Sequence, residues 1–138
     1  MGRTRASAAA GIMAAGIMLD TGGLIALDRG DKRMIALLRR ALAQGRPFHV
    51  PTGVVGQAWR DGRAQVALAR FLRSEEVEVI ALDEQVARSC GELCGATNTS
   101  DIIDASVVIH ARERRDAIVT SDPNHLRRLD PAARIISV

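Results

Sequence analysis

Short apolar runs suited to buried strands alternate with helical patterns from Ile17 to the C-terminus, and the first and fourth of these runs lead directly to an aspartate. Ile17-Met18-Leu19 stops at Asp20, and Ala117-Ile118-Val119-Thr120 leads to Asp122. Between them, Phe48-His49-Val50 predicts a strand closed by Pro51, and Val77 to Leu82 predicts a third; Arg134 to Val138 predicts the last. Thr21-Gly22-Gly23 reads as a turn before a helix from Leu24. Met34, Leu37, Leu38, Ala41 and Leu42 predict a helix capped by Asp31 and stopped at Gly45. Thr52 is expected to cap a helix through Trp59, Gly62 to start another, Asp83 to cap the helix carrying Cys90 and Cys94, and Ser100 or Asp101 to open one reaching about Arg114. Strict alternation of this kind implies parallel strands joined by right-handed crossovers, an α/β fold with helices on both faces of one sheet.

A chain of 138 residues holds one domain. The pattern assigns it to residues 16–138 and leaves 1–15, with Arg3, Arg5 and an Ala-rich run broken by Gly11, as a disordered leader or a start placed too early, with Met13 or Met18 as the true start. No run approaches the ~20 apolar residues of a membrane span. Cys90 and Cys94, four apart and without a second pair, read as free thiols on one helix face, consistent with the reducing cytoplasm.

In open α/β sheets the ligand crevice lies beyond the carboxyl ends of the strands, where this chain supplies Asp20 and Asp122. Asp104 sits within Ser-Asp-Ile-Ile-Asp-Ala-Ser-Val-Val, too apolar for an outer surface, and Asp101 three residues earlier shares its helical face. Each acid has a structural alternative: Asp20, Asp101 and Asp122 can all be helix caps, and only Asp104, read as a mid-helix carboxylate in apolar surroundings, needs compensation. Carboxylates gathered together call for a cation, and hard oxygen donors suit Mg²⁺ or Mn²⁺, which promote phosphodiester hydrolysis without a covalent nucleophile. No Gly-rich phosphate loop of the GxGxxG or GxxxxGK type is present, which disfavours a nucleotide-binding domain.

Composition narrows the substrate. The formal charge is +3, and all 19 Lys and Arg residues except Lys32 are arginine, suited to phosphate or simply to solvated helix faces. Trp59, Phe48 and Phe71 are the only aromatic residues, too few for base-stacking platforms, so a nucleic acid would be held by charge.

At these residues the chain resembles PIN domains, and more closely the VapC-type toxins of toxin–antitoxin pairs. The matching segments are Met-Leu-Asp-Thr-Gly-Gly-Leu-Ile-Ala-Leu around Asp20, Ser-Asp-Ile-Ile-Asp-Ala-Ser-Val-Val around Asp104 and Ile-Val-Thr-Ser-Asp-Pro around Asp122. The resemblance implies a three-layer α/β/α sandwich with a mostly parallel sheet. It implies a Mg²⁺- or Mn²⁺-dependent endoribonuclease cutting structured RNA such as tRNA or rRNA, a VapB-like antitoxin and a homodimer. Asp20, Asp104 and Asp122 would ligate the metal, Asp101 would be an auxiliary acid, and Thr120 or Ser121 would orient a carboxylate. One position departs: where the family carries a glutamate in the helix after the second strand, this chain has Gln57, which brings no charge. That departure motivates the rival expectation of a catalytically weak PIN-fold module that mainly binds an antitoxin or RNA. His125 beyond Asp122 is expected on the surface or against phosphate, and His49 and His110 have no evident role.

Overall fold

A computed structural model describes residues 15–138. The expected leader over 1–15 lies outside the described residues except for Ala15, whose carbonyl accepts a 2.7 Å hydrogen bond from Arg46 Nε. The element order is β1 (Ile17–Leu19), α1 (Thr21–Asp28), α2 (Lys32–Ala43), β2 (Phe48–Pro51), α3 (Thr52–Ala58), α4 (Val66–Leu72), β3 (Val77–Ile80), α5 (Glu84–Thr97), α6 (Ile102–Arg114), β4 (Ala117–Thr120), α7 (Pro123–Leu129) and β5 (Ile135–Ser137).

All five strands pair in parallel, in the order β3-β2-β1-β4-β5. The sheet is thus wholly parallel, with the expected α/β layers around it. Central strands β1 and β4 are buried throughout, as continuous apolar runs covered by helices must be, whereas the edge strands β3 and β5 are partly exposed. On one side α1 packs against α2, α4 and β4; on the other α6 packs against α5, α7 and the strands β1, β2 and β4. Chain order runs outward from β1 through β2 to β3, then jumps to β4 on β1's other side. The switch point therefore falls between β1 and β4, and Asp20 and Asp122 lie just beyond the carboxyl ends of those two strands.

Three local expectations are corrected. Helix α1 begins at Thr21, so Thr21-Gly22-Gly23 is its first turn and not a preceding loop. Thr52 is likewise the first helical residue of α3, with Pro51 before it making no side-chain cap. Helix α4 starts at Val66 rather than Gly62, because the Gln65 side chain gathers the preceding turn by accepting from the Arg60 and Asp61 amides. Asp31 and Asp83 do cap their helices, accepting from the amides of Met34 and Val86.

The core is aliphatic apart from Phe48 and Phe71, which meet edge to face with ring centroids 5.5 Å apart. Cys90 and Cys94 are buried on α5 with Ala105 in a smaller cluster, and burial raises the Cys90 thiol pKa. At the amino-terminal pole of the sheet His49 Nδ1 lies 2.5 Å from the buried carboxylate of Asp116, a contact that sequence spacing did not indicate.

His110 on α6 is buried, and among the described residues neither ring nitrogen has a hydrogen-bond partner; the Glu113 carboxylate lies 3.9 Å from Nδ1. Burial holds its pKa below the ordinary value, so the folded state keeps the ring neutral. A depressed histidine pKa means that unfolding takes up a proton, and stability from this group is lost as pH falls through the unfolded value of about 6.5. His110→Leu removes an unsatisfied polar group at similar volume. It should raise stability by about 1 kcal/mol at neutral pH and more below pH 6, as read by denaturant melts at two pH values.

Candidate active site

Asp20 is delivered by β1 and held in place by the first turn of α1 and by the end of β4. Its amide donates to the Val119 carbonyl of β4 at 3.2 Å, and its Oδ1 accepts the Gly23 amide at 2.8 Å, capping α1. The Thr120 hydroxyl also hydrogen-bonds this carboxylate. The same hydroxyl accepts the Asp122 amide at 2.9 Å, so one side chain at the end of β4 ties both acids together. Burial raises the Asp20 pKa despite the hydrogen bonds from Thr120, Gly23 and Gly22, and the nearby charge of Asp122 adds to the rise.

Asp104 comes from a different layer. It is the third residue of α6, not a mid-helix residue as expected, and the helix terminus itself favours a negative charge there. Asp101 caps this helix by accepting the Asp104 amide at 3.0 Å. Burial, then the Asp101 carboxylate, pushes the Asp104 pKa up to about 6; the His125 ring opposes the rise and the Asp20 charge contributes to it. Asp104 thus feels both Asp101 on its own helix and Asp20 at the end of β1.

Capping and ligation are not alternatives at these positions. Asp20, Asp101 and Asp122 each cap a helix through Oδ1, and Asp122 does so by accepting the His125 amide at 3.3 Å. A carboxylate has two oxygens, so a cap that engages one also fixes the direction of the other.

Gln57 on α3 accepts a hydrogen bond from the hydroxyl of Thr21, the residue after Asp20, so the departure from the family pattern lies at the rim of the same site. Ser121 is exposed and lies over Gly22 in the first turn of α1. Together with Gly22, Arg29, Asp31 and Val138 it lines an open cleft of about 550 Å³ over α1 that none of the four candidate acids lines. His125 was expected on the surface or against phosphate; its Nε2 lies instead 2.8 Å from Asp104 Oδ2. The only hint in the sequence is its position three residues after a capping aspartate, which turns it back toward the helix start.

Ligand atoms of Asp101, Asp104 and His125 all lie within 4.8 Å of one another, a set able to hold a metal ion. These donors, two carboxylates and an imidazole, fit a divalent cation; Asp20 and Asp122 stand outside this group, tied to each other through Thr120 at the switch point.

The PIN domain family model matches residues 17–130, from β1 past the last of these acids, and the chain belongs to that family. In three dimensions it is similar to the crystal structure of VapBC2 from Rickettsia felis bound to a DNA fragment from their promoter. That likeness has a TM-score of 0.65 at 18% identity, covers 88% of this chain and 98% of that one, and speaks to the fold. No curated protein matches the sequence.

Proposed function

We propose that the chain is a metal-dependent endoribonuclease, the toxin of a VapBC-like pair, cleaving structured RNA such as tRNA or rRNA and restrained by a VapB-like antitoxin. In this reading Asp20, Asp104 and Asp122 hold Mg²⁺ or Mn²⁺, with Asp101 as the auxiliary acid, and the protein works in the cytoplasm as a homodimer. The observation that carries it is geometric: Asp20 and Asp122 stand at the switch point beyond β1 and β4, tied through Thr120, and Asp101, Asp104 and His125 gather at the start of α6, which packs on those strands. A bound divalent cation supplies Lewis acidity to phosphodiester hydrolysis. The protein's own part is positioning. Thr120 holds Asp20 and the Asp122 backbone in one arrangement. In the reaction water attacks phosphorus, the bond to the leaving oxygen breaks, and that oxygen takes up a proton.

Gln57 supports a second reading, a PIN-fold module that binds RNA or antitoxin and cleaves weakly, because a neutral side chain stands where the family pattern has an acid. Calorimetric titration with Mn²⁺, paired with an RNA cleavage assay with and without chelator, separates the two. The nuclease fills its site and stops cutting when the metal is chelated. A site that stays empty at millimolar Mn²⁺ would leave only the binding module.

A further inference from the structure

Among the donors at this site one is a nitrogen. His125 is joined to two of the acids at once: its backbone amide caps onto Asp122, and its ring nitrogen Nε2 stands 2.8 Å from Asp104 Oδ2. A histidine beside a carboxylate is commonly a simple ion pair. Here the carboxylate also has the Asp101 charge close by, and the ring, with its side chain 30% exposed, reaches the start of α6. The three groups meet as ligands around a single ion would. The Gln57 side chain is neutral and engaged with Thr21, so it brings no charged donor of its own.

We infer that His125 is a metal ligand of this site, acting with Asp104 and Asp101, and that the site consequently selects first-row transition ions such as Mn²⁺ over Mg²⁺. This rests on the metal-dependent reading above. Mg²⁺ is small, demands near-octahedral oxygen donors and sheds water reluctantly, whereas imidazole nitrogen suits the transition series. Replacing one oxygen donor by nitrogen therefore costs Mg²⁺ more than Mn²⁺. Sequence spacing alone does not reveal the arrangement, because Asp104 and His125 lie on different helices.

The test is Mn²⁺ binding to the full chain followed by electron paramagnetic resonance, with Mg²⁺ as competitor. The wild-type complex should show nitrogen-14 modulation of the Mn²⁺ spin echo. His125→Ala should lose that modulation and bind Mn²⁺ about tenfold or more weakly, with Mg²⁺ affinity changed less. His125→Asp, an all-oxygen site, should narrow the preference for Mn²⁺ over Mg²⁺. Bound Mn²⁺ without nitrogen modulation, modulation that persists in His125→Ala, or unchanged Mn²⁺ affinity in that variant would each overturn the assignment of His125 while leaving the metal-dependent reading intact. No binding to the wild type at millimolar Mn²⁺ overturns both.

Discussion

Asp104→Asn should lower RNA cleavage by roughly 100-fold or more and, in the same protein without metal, raise its stability. The two effects have one origin. A carboxylate that burial and its neighbours hold at a pKa of about 6 is being kept ionised at neutral pH in surroundings that disfavour the charge. An acid raised in the folded state contributes its full stability below its unfolded value, near 3.8, and loses it as pH rises through about 6. The loss is on the order of 2 kcal/mol by pH 7. Asparagine keeps the shape and removes the charge. Some of the gain is offset because a negative group in the first turn of α6 also interacts favourably with the helix terminus, by a few tenths of a kcal/mol.

A net rise of roughly 5 °C in the melting temperature of metal-free Asp104→Asn, measured at pH 7.5 with chelator present, is the expected result. At pH 4 the variant and the wild type should converge. The slope is opposite in sign to that of His110, whose depressed pKa makes acid destabilising, so the His110→Leu variant is the clean background in which to see it. If Asp104→Asn cleaves RNA as the wild type does, Asp104 has no part in the chemistry. If it melts lower at pH 7.5, the carboxylate is not strained in the way its surroundings indicate.

The layout of the fold was legible because strands buried on both faces must be apolar along their whole length, and Ile17-Met18-Leu19 and Ala117-Ile118-Val119-Thr120 are runs that read only one way. Once those strands are parallel, the residues after them share one edge of the sheet, so Asp20 and Asp122 are able to meet; that they do depends on β1 and β4 being neighbours, which the strand order settles. Less legible was Thr21-Gly22-Gly23, because glycine has two physical uses. Its backbone freedom predicts a turn; the structure uses its missing Cβ, hence a helix pressed against β4. The start of Asp104's helix was legible, since Asp101 caps it as the sequence suggests, and that start already puts Asp104 in the first turn, where reading it as mid-helix weighed the apolar neighbours over the cap. The contacts of His125 with Asp104 and of Gln57 with Thr21 join separate helices and are set only by how those helices dock.

That docking makes Gly23 the second position with a large expected effect. A Cβ built there would lie 2.8 Å from the Val119 carbonyl oxygen and 3.3 Å from Val119 Cγ1. The carbonyl belongs to central strand β4 and already accepts the Asp20 amide, so it cannot turn aside. Helix α1 must lift instead, and the Gly23 amide that holds the Asp20 carboxylate lifts with it. Alanine adds helix propensity of about 1 kcal/mol, but overpacking against fixed backbone costs about 1–3 kcal/mol, so the net change in Gly23→Ala is destabilising. The larger consequence is for activity, since moving a reacting group by an ångström can cost about 100-fold. Gly22→Ala should be milder, because its closest obstacle is the hydroxyl of the exposed Ser121, which can rotate away, leaving Ser121 Cβ at 3.1 Å and its backbone N at 3.2 Å. Gly56→Ala in α3 meets nothing within 4 Å and should stabilise by about 0.5–1 kcal/mol. Ranking the three by thermal melt and RNA cleavage separates close approach from flexibility: if Gly23→Ala gains stability as Gly56→Ala does, the contact between α1 and β4 is not what orients Asp20.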